Sequence, residues 1–131
     1  MLPATNAIPR MEDSRMVTFD EVRAWVLALP GAEEGTSYGT PAFRVRGKLL
    51  ARLREEGDVL VVKVEIDYRD LLIHGSPEIY FTTPHYTGYP AVLVRLPAAD
   101  PGKLREILTD AWRVHAPKRL VAEFDVQRQE R

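Results

Sequence analysis

Ala42-Phe43-Arg44-Val45-Arg46-Gly47-Lys48-Leu49-Leu50-Ala51-Arg52-Leu53-Arg54, followed by Val59-Leu60-Val61-Val62-Lys63-Val64-Glu65-Ile66, is the stretch that decides the fold. In the first run apolar and basic residues alternate, which is the period of two of a half-buried strand. Phe43 and Val45 fall on one side with Arg44 and Arg46 on the other. After Gly47 the set Leu49, Ala51 and Leu53 opposes Lys48, Leu50, Arg52 and Arg54. Glu55 to Asp58 is a polar turn whose Gly57 can adopt positive φ. The last run is rich in β-branched residues and almost continuously apolar, as expected of a strand covered at least in part on both faces.

Working outward, Thr18 and Glu21 form a capping box ahead of Val22, Trp25, Val26 and Leu29 at helical spacing, and Pro30-Gly31 ends that helix. Residues Ala32 to Pro41 read as a connecting loop. Beyond Ile66, Asp67 is the expected N-cap of a short helix ending near Gly75, Ile79 to Thr82 a short strand, and Ala91 to Leu96 another. Thr83 to Pro90 reads as a loop dense in aromatics and turn formers. Asp100-Pro101 opens a helix over residues 100–116, with proline at its first position and Leu104, Ile107, Leu108, Ala111 and Trp112 at helical spacing. Pro117 interrupts it, and Lys118 to Asp125 reads as a further short helix. The expected fold class is therefore α+β: two layers, one antiparallel sheet with helices on one face, in the order α-β(3)-α-β(2)-α. The expected organisation is a flexible extension at 1–16, one domain at 17–126 and a frayed tail at 127–131.

The 131 residues, 45% hydrophobic and 28% charged, suit one domain with its own core. Absence of cysteine excludes disulfides, thiolate catalysis and cysteine-based zinc sites, and is compatible with a cytoplasmic location. Apolar runs are strand-sized, far short of the roughly 20 residues that span a bilayer, so no membrane role is expected. With 18 basic and 19 acidic residues the net charge is −1, so any affinity for nucleic acid must come from where the charges sit.

Five segments carry a family resemblance: Leu29-Pro30-Gly31-Ala32-Glu33-Glu34, Gly39-Thr40-Pro41-Ala42-Phe43-Arg44-Val45, Gly47-Lys48, Thr83-Pro84-His85-Tyr86 through Gly88-Tyr89-Pro90, and Ala116-Pro117-Lys118-Arg119-Leu120. Together they resemble the MmcQ/YjbR family over roughly Val17 to Asp125. The resemblance implies the same two-layer α+β fold and element order. Members are often labelled DNA-binding and are largely uncharacterised. This chain has Tyr38 where relatives usually have tryptophan, and its first sixteen residues lie outside the family pattern.

In such a fold one sheet face is left for solvent or a ligand. The helix-facing set is expected to be Phe43, Val45, Leu49, Ala51, Leu53, Val92 and Val94. That leaves Arg44, Arg46, Lys48, Arg52, Arg54, Lys63 and Arg95 on the other face against one acid, Glu65. The bland interpretation is a solvated face guarded against edge pairing. The functional one is contact with DNA or other nucleic acid through Arg44, Arg46, Lys48, Arg52, Lys63 and Arg95, with His85, Tyr86, Lys118 and Arg119 at the rim. His85 and Tyr86 can stack on bases or pack locally, and Lys118-Arg119 can meet phosphate or complement the end of the preceding helix. Val59, Val61 and Leu93 lie among the basic residues and ask for cover, which a second copy in a homodimer would supply. The alternative is thus a homodimeric module binding protein or a small ligand, with no nucleic-acid role. No nucleophile elbow, phosphate loop or dinucleotide fingerprint is present, and His74, His85 and His115 lack metal-ligand spacing. A non-catalytic protein without cofactor or metal is expected.

Overall fold

A computed structural model describes residues 17–129. The expected extension at 1–16 and the last two residues of the tail lie outside the described residues. Helix α1 (Phe19–Leu27) begins with the capping box read from the sequence: Thr18 accepts from the Glu21 amide while Glu21 accepts from the Thr18 amide. Then come β1 (Ala32–Ser37), β2 (Thr40–Val45), β3 (Lys48–Leu53) and β4 (Val59–Lys63), and helix α2 (Ile66–Gly75). The short β5 (Tyr80–Phe81), a 3-10 turn at Pro84–Tyr86, β6 (Ala91–Arg95) and the helices α3 (Pro101–His115) and α4 (Lys118–Gln129) complete the chain.

All strand pairs are antiparallel, in the order β1-β2-β3-β4-β6-β5. The α+β class with a single antiparallel sheet is as expected, but the segment taken for a loop at Ala32 to Pro41 contains a sixth strand. Strand β1 pairs with β2 through a two-residue turn in which Tyr38 (φ 54) and Gly39 (φ 81) are both left-handed. Arg46 (φ 54) and Gly47 (φ 76) repeat that turn between β2 and β3. Left-handed φ at both central positions matches the strand twist of a tight hairpin, and here a tyrosine and an arginine take the position usually given to asparagine. Two further boundaries differ: α2 starts at Ile66 with Glu65 at its N-cap, not Asp67, and α4 runs to Gln129 instead of fraying after Asp125.

The sheet register corrects the expected faces. A bulge between Phe43 and Arg44 inserts one residue opposite them, so that Phe43 pairs with Ala51 and Arg44 with Leu49. Leu50, the extra residue, is 1% exposed in the main core, whereas Leu49 goes to the Arg44 side. The helix-facing layer is Phe43, Val45, Leu50, Ala51, Leu60, Val62, Val92 and Val94, packed under Val22, Val26, Leu104, Ile107, Leu108 and Trp112. As the hydrophobic run predicts, β4 is buried on both faces: Val59 to Val62 are each at most 8% exposed. Helix α4 closes the layer from the side. Phe124 meets Trp112 edge-on at 5.0 Å, Trp112 Nε1 donates to the Pro30 carbonyl at 2.8 Å, and Arg113 forks onto Asp125.

Candidate nucleic-acid interface

The second sheet face carries its own apolar cluster of Val59, Val61, Ala91 and Leu93, with Phe81 against it, covered by Tyr86. Tyr86 reaches that place because Pro84 starts a single 3-10 turn that folds the Thr83 to Pro90 segment back over the strands. Two arginines hold it there. From β3, Arg52 Nη2 donates to the Tyr86 hydroxyl at 3.2 Å; from α2, Arg69 Nη1 lies 3.1, 3.2 and 3.4 Å from the carbonyl oxygens of Tyr86, Thr87 and Tyr89. Both arginines are buried, 9% and 6% exposed. Burial of a guanidinium is tolerable only when its donors are satisfied, as these are. Val59, Val61 and Leu93 are therefore covered within the chain, and their burial needs no second subunit.

The predicted contact residues divide into two groups. Arg44, Arg52, Lys63 and Arg95 come from β2, β3, β4 and β6 onto this face, around the Tyr86 plug. Arg46 and Lys48 do not belong to it. Arg46 occupies the β2–β3 turn and Lys48 pairs with Val45, whose side chain faces the helices, so both are exposed at the sheet end. Lys118 and Arg119 begin α4 and are also exposed; the Leu120 side chain beside them lies close to Gly31, as does that of Val45. These four basic residues sit around that corner of the helix side, not at the rim of the second face. His85 is exposed and meets Tyr86 edge-on at 5.0 Å, whereas Tyr86 itself is only 8% exposed, in keeping with its packing role.

On the second face cations and rings alternate. The Arg52 guanidinium lies 5.2 Å from the Tyr38 ring centroid, the Lys63 ammonium 5.0 Å from Tyr89, and the Arg95 guanidinium 4.0 Å from Phe81. Tyr38 is 85% exposed. The remaining hydrogen bonds of these arginines go to neutral oxygens: Arg44 to the Thr36 carbonyl, Arg52 to Thr40 and Leu53, Arg95 to Pro77 and Glu78. Among the described residues, ion pairs involve Arg23, Arg54, Arg69, Lys103 and Arg113, and none involves Arg44, Arg46, Lys48, Arg52, Lys63 or Arg95. Among the described residues, then, none of the six predicted cations lies within ion-pair distance of a carboxylate, although Glu33 is paired across the strands with Arg44. Sequence reasoning missed Tyr38, Phe81 and Arg69 as members of this face. The Tyr38-Gly39 pair is a hairpin-turn signal that would have projected Tyr38 from the sheet end, while Arg69 on a helix gives no such sign.

The described residues contain no cluster of three or more metal-ligating side chains, and no helix long and apolar enough to cross a membrane.

The comparisons with known proteins agree with this fold. Residues 27–114 match the YjbR family, and the chain belongs to it. It is 38% identical over 127 residues to the uncharacterized proteins Rv2570 of Mycobacterium tuberculosis and Mb2600 of Mycobacterium bovis, a match covering 83% of this chain and 96% of each relative. Its fold is similar to that of protein DR2400 of Deinococcus radiodurans, a DUF419 domain, with a TM-score of 0.67, 21% identity, and coverage of 76% of this chain and 79% of that one.

Proposed function

We propose that the protein is a non-catalytic binder of single-stranded nucleic acid, which it contacts through the second sheet face. The observation that carries this reading is the alternation of rings with cations that have no carboxylate partner among the described residues. Exposed aromatic rings offer every base a surface on which to stack, while nearby cations attract the backbone, and that pairing favours strands whose bases are free over duplexes whose bases are already stacked. Tyr38, His85 and Tyr89 present the rings; Arg44, Lys63 and Arg95 carry the charge. Arg52 takes an indirect part here, holding both Tyr38 and Tyr86 in place. The four basic residues at the helix-side corner extend the field without touching the bases.

The test is fluorescence anisotropy at low salt with labelled oligo-dT, oligo-rU and a mixed-sequence duplex, on the full chain and on Tyr38→Ala. Oligo-dT and oligo-rU should bind more tightly than duplex, and Tyr38→Ala should weaken binding by about tenfold, within the 1–3 kcal/mol of one stacked base. Equal affinity for duplex together with an indifferent Tyr38→Ala would remove the stacking role. No retention of any oligonucleotide would remove nucleic acid as the ligand.

A further inference from the structure

On the helix side of the molecule, the exit of β4, the start of α2 and α3 enclose a cleft of about 580 Å3, within the range of small-ligand sites. Its floor is apolar, made by Val64 with the buried Ile107 and Ala111. Val114 extends this surface and is 74% exposed, an apolar side chain facing solvent at the mouth. Of the two lysines at the cleft, Lys103 has a carboxylate partner and Lys63 rests on an aromatic ring. The Lys103 ammonium lies 3.9 Å from Glu106 and 5.7 Å from the Tyr68 ring centroid, and the Lys63 ammonium lies 5.0 Å from the Tyr89 ring centroid.

The acceptors are less committed. Glu65 from the start of α2 and Asp110 from α3 both line the cleft, and neither has an ion pair among the described residues. His115 Nδ1 lies 2.9 Å from the Ala111 carbonyl, which can only accept, so Nδ1 carries the proton. The cleft thus has an apolar floor and two carboxylates without an ion-pair partner among the described residues. Donor-rich cations complement that set, and anions do not. We propose that the cleft binds an organic amine, with its ammonium between Glu65 and Asp110 and its apolar body against Val64, Ile107, Ala111 and Val114. This site shares Lys63 with the second face but does not rest on the nucleic-acid reading.

The experiment uses three probes of one shape and different charge, 4-phenylbutylamine, 4-phenylbutanol and 4-phenylbutyrate, titrated into the full chain while the methyl resonances of Val64, Ile107 and Val114 are followed by NMR. The amine should shift all three saturably, with the alcohol and the acid at least about tenfold weaker, the ratio that corresponds to about 1.4 kcal/mol. Glu65→Gln with Asp110→Asn should bring the amine down to the alcohol. Val114→Lys, at an exposed position and with its fold checked by melting temperature, should abolish the shifts of the remaining Val64 and Ile107 methyls. Absence of saturable shifts, an acid that binds as well as the amine, or affinity unchanged in either variant would each overturn the proposal. Preference for the acid would make the site an anion site instead.

Discussion

Arg52 Nη2 meets the Tyr86 hydroxyl at 3.2 Å across 34 residues of sequence, fastening the Thr83 to Pro90 segment to the sheet face it covers. Removing the hydroxyl alone, in Tyr86→Phe, should cost about 1.5–3 kcal/mol, the value of a hydrogen bond to a charged group. Tyr86→Ala also uncovers Val61 and Leu93 and should cost about 3–5 kcal/mol, as large aromatic deletions do. Urea denaturation measures both. Equal costs for the two variants would mean that the ring does not bury that cluster.

Arg69 holds the same segment from the other side through three carbonyl oxygens. Arg69→Leu leaves those oxygens without their donor and should destabilise the protein by about 2–4 kcal/mol, since each orphaned buried acceptor costs roughly 1–3 kcal/mol before relaxation. Arg69→Lys should recover only part of this, because an ammonium lacks the planar fork. Amide exchange at Thr87 and Tyr89, which donate to the Pro84 and Tyr86 carbonyls, should speed up in both variants, and unchanged exchange would count against the tie.

Gly31 tests a close approach in the helix layer. Its φ is +79, and an added Cβ would come within 2.8 Å of Leu120 Cδ1. Gly57 has a similar φ of +88 with nothing within 4 Å. Both alanine variants bear the left-handed penalty of about 1–2 kcal/mol, and only Gly31→Ala adds the clash. Its melting temperature should fall further than that of Gly57→Ala; equal values would show that α4 yields at no cost.

The Arg113 guanidinium, by its hydrogen bond first and its charge second, holds the Asp125 carboxyl below its ordinary value. Because the folded pKa is lower than the unfolded one, the stabilisation is fully present above the ordinary aspartate value near 4 and is lost as pH falls through the folded pKa. Asp125→Asn should accordingly be less stable than the parent at pH 7, with the gap closing towards pH 2 to 3. Urea midpoints at the two pH values decide it, and a gap that persists in acid would contradict the assignment.

Legibility in the sequence followed burial. Strands β2 and β3 and helices α1 and α3 were readable from the spacing of their apolar residues, and β4 and β6 from apolar runs buried on both faces. Strand β1 was not, because Ala32-Glu33-Glu34-Gly35-Thr36-Ser37 lies at the sheet edge with both sides mostly exposed and so shows no apolar alternation. The faces of β3 were half readable: a bulge adds a residue without any composition signal, and that one residue moved Leu49 and Leu50 to opposite sides. At the candidate site, alternation placed Arg44, Arg52, Lys63 and Arg95 on one face correctly. It had no means of showing that Tyr86 would plug that face, because the contact depends on a loop brought back by Pro84 and on Arg69 from a helix.

The measurement closest to the central claim is a salt titration of oligo-dT binding for the parent chain and for Arg44→Glu with Lys63→Glu. Each phosphate neutralised should contribute a slope of about −0.7 in log affinity against log salt for a single strand, and a face of this size should engage only about three or four. The parent should therefore bind weakly and lose affinity steeply as salt rises. The double reversal should abolish binding; because Arg44 also hydrogen-bonds the Thr36 carbonyl and faces Glu33, and Lys63 lies over Tyr89, the melting temperature of the variant is measured alongside to separate lost binding from lost fold. Affinity independent of salt, or a reversed variant that binds as well as the parent, would contradict a nucleic-acid role for this face.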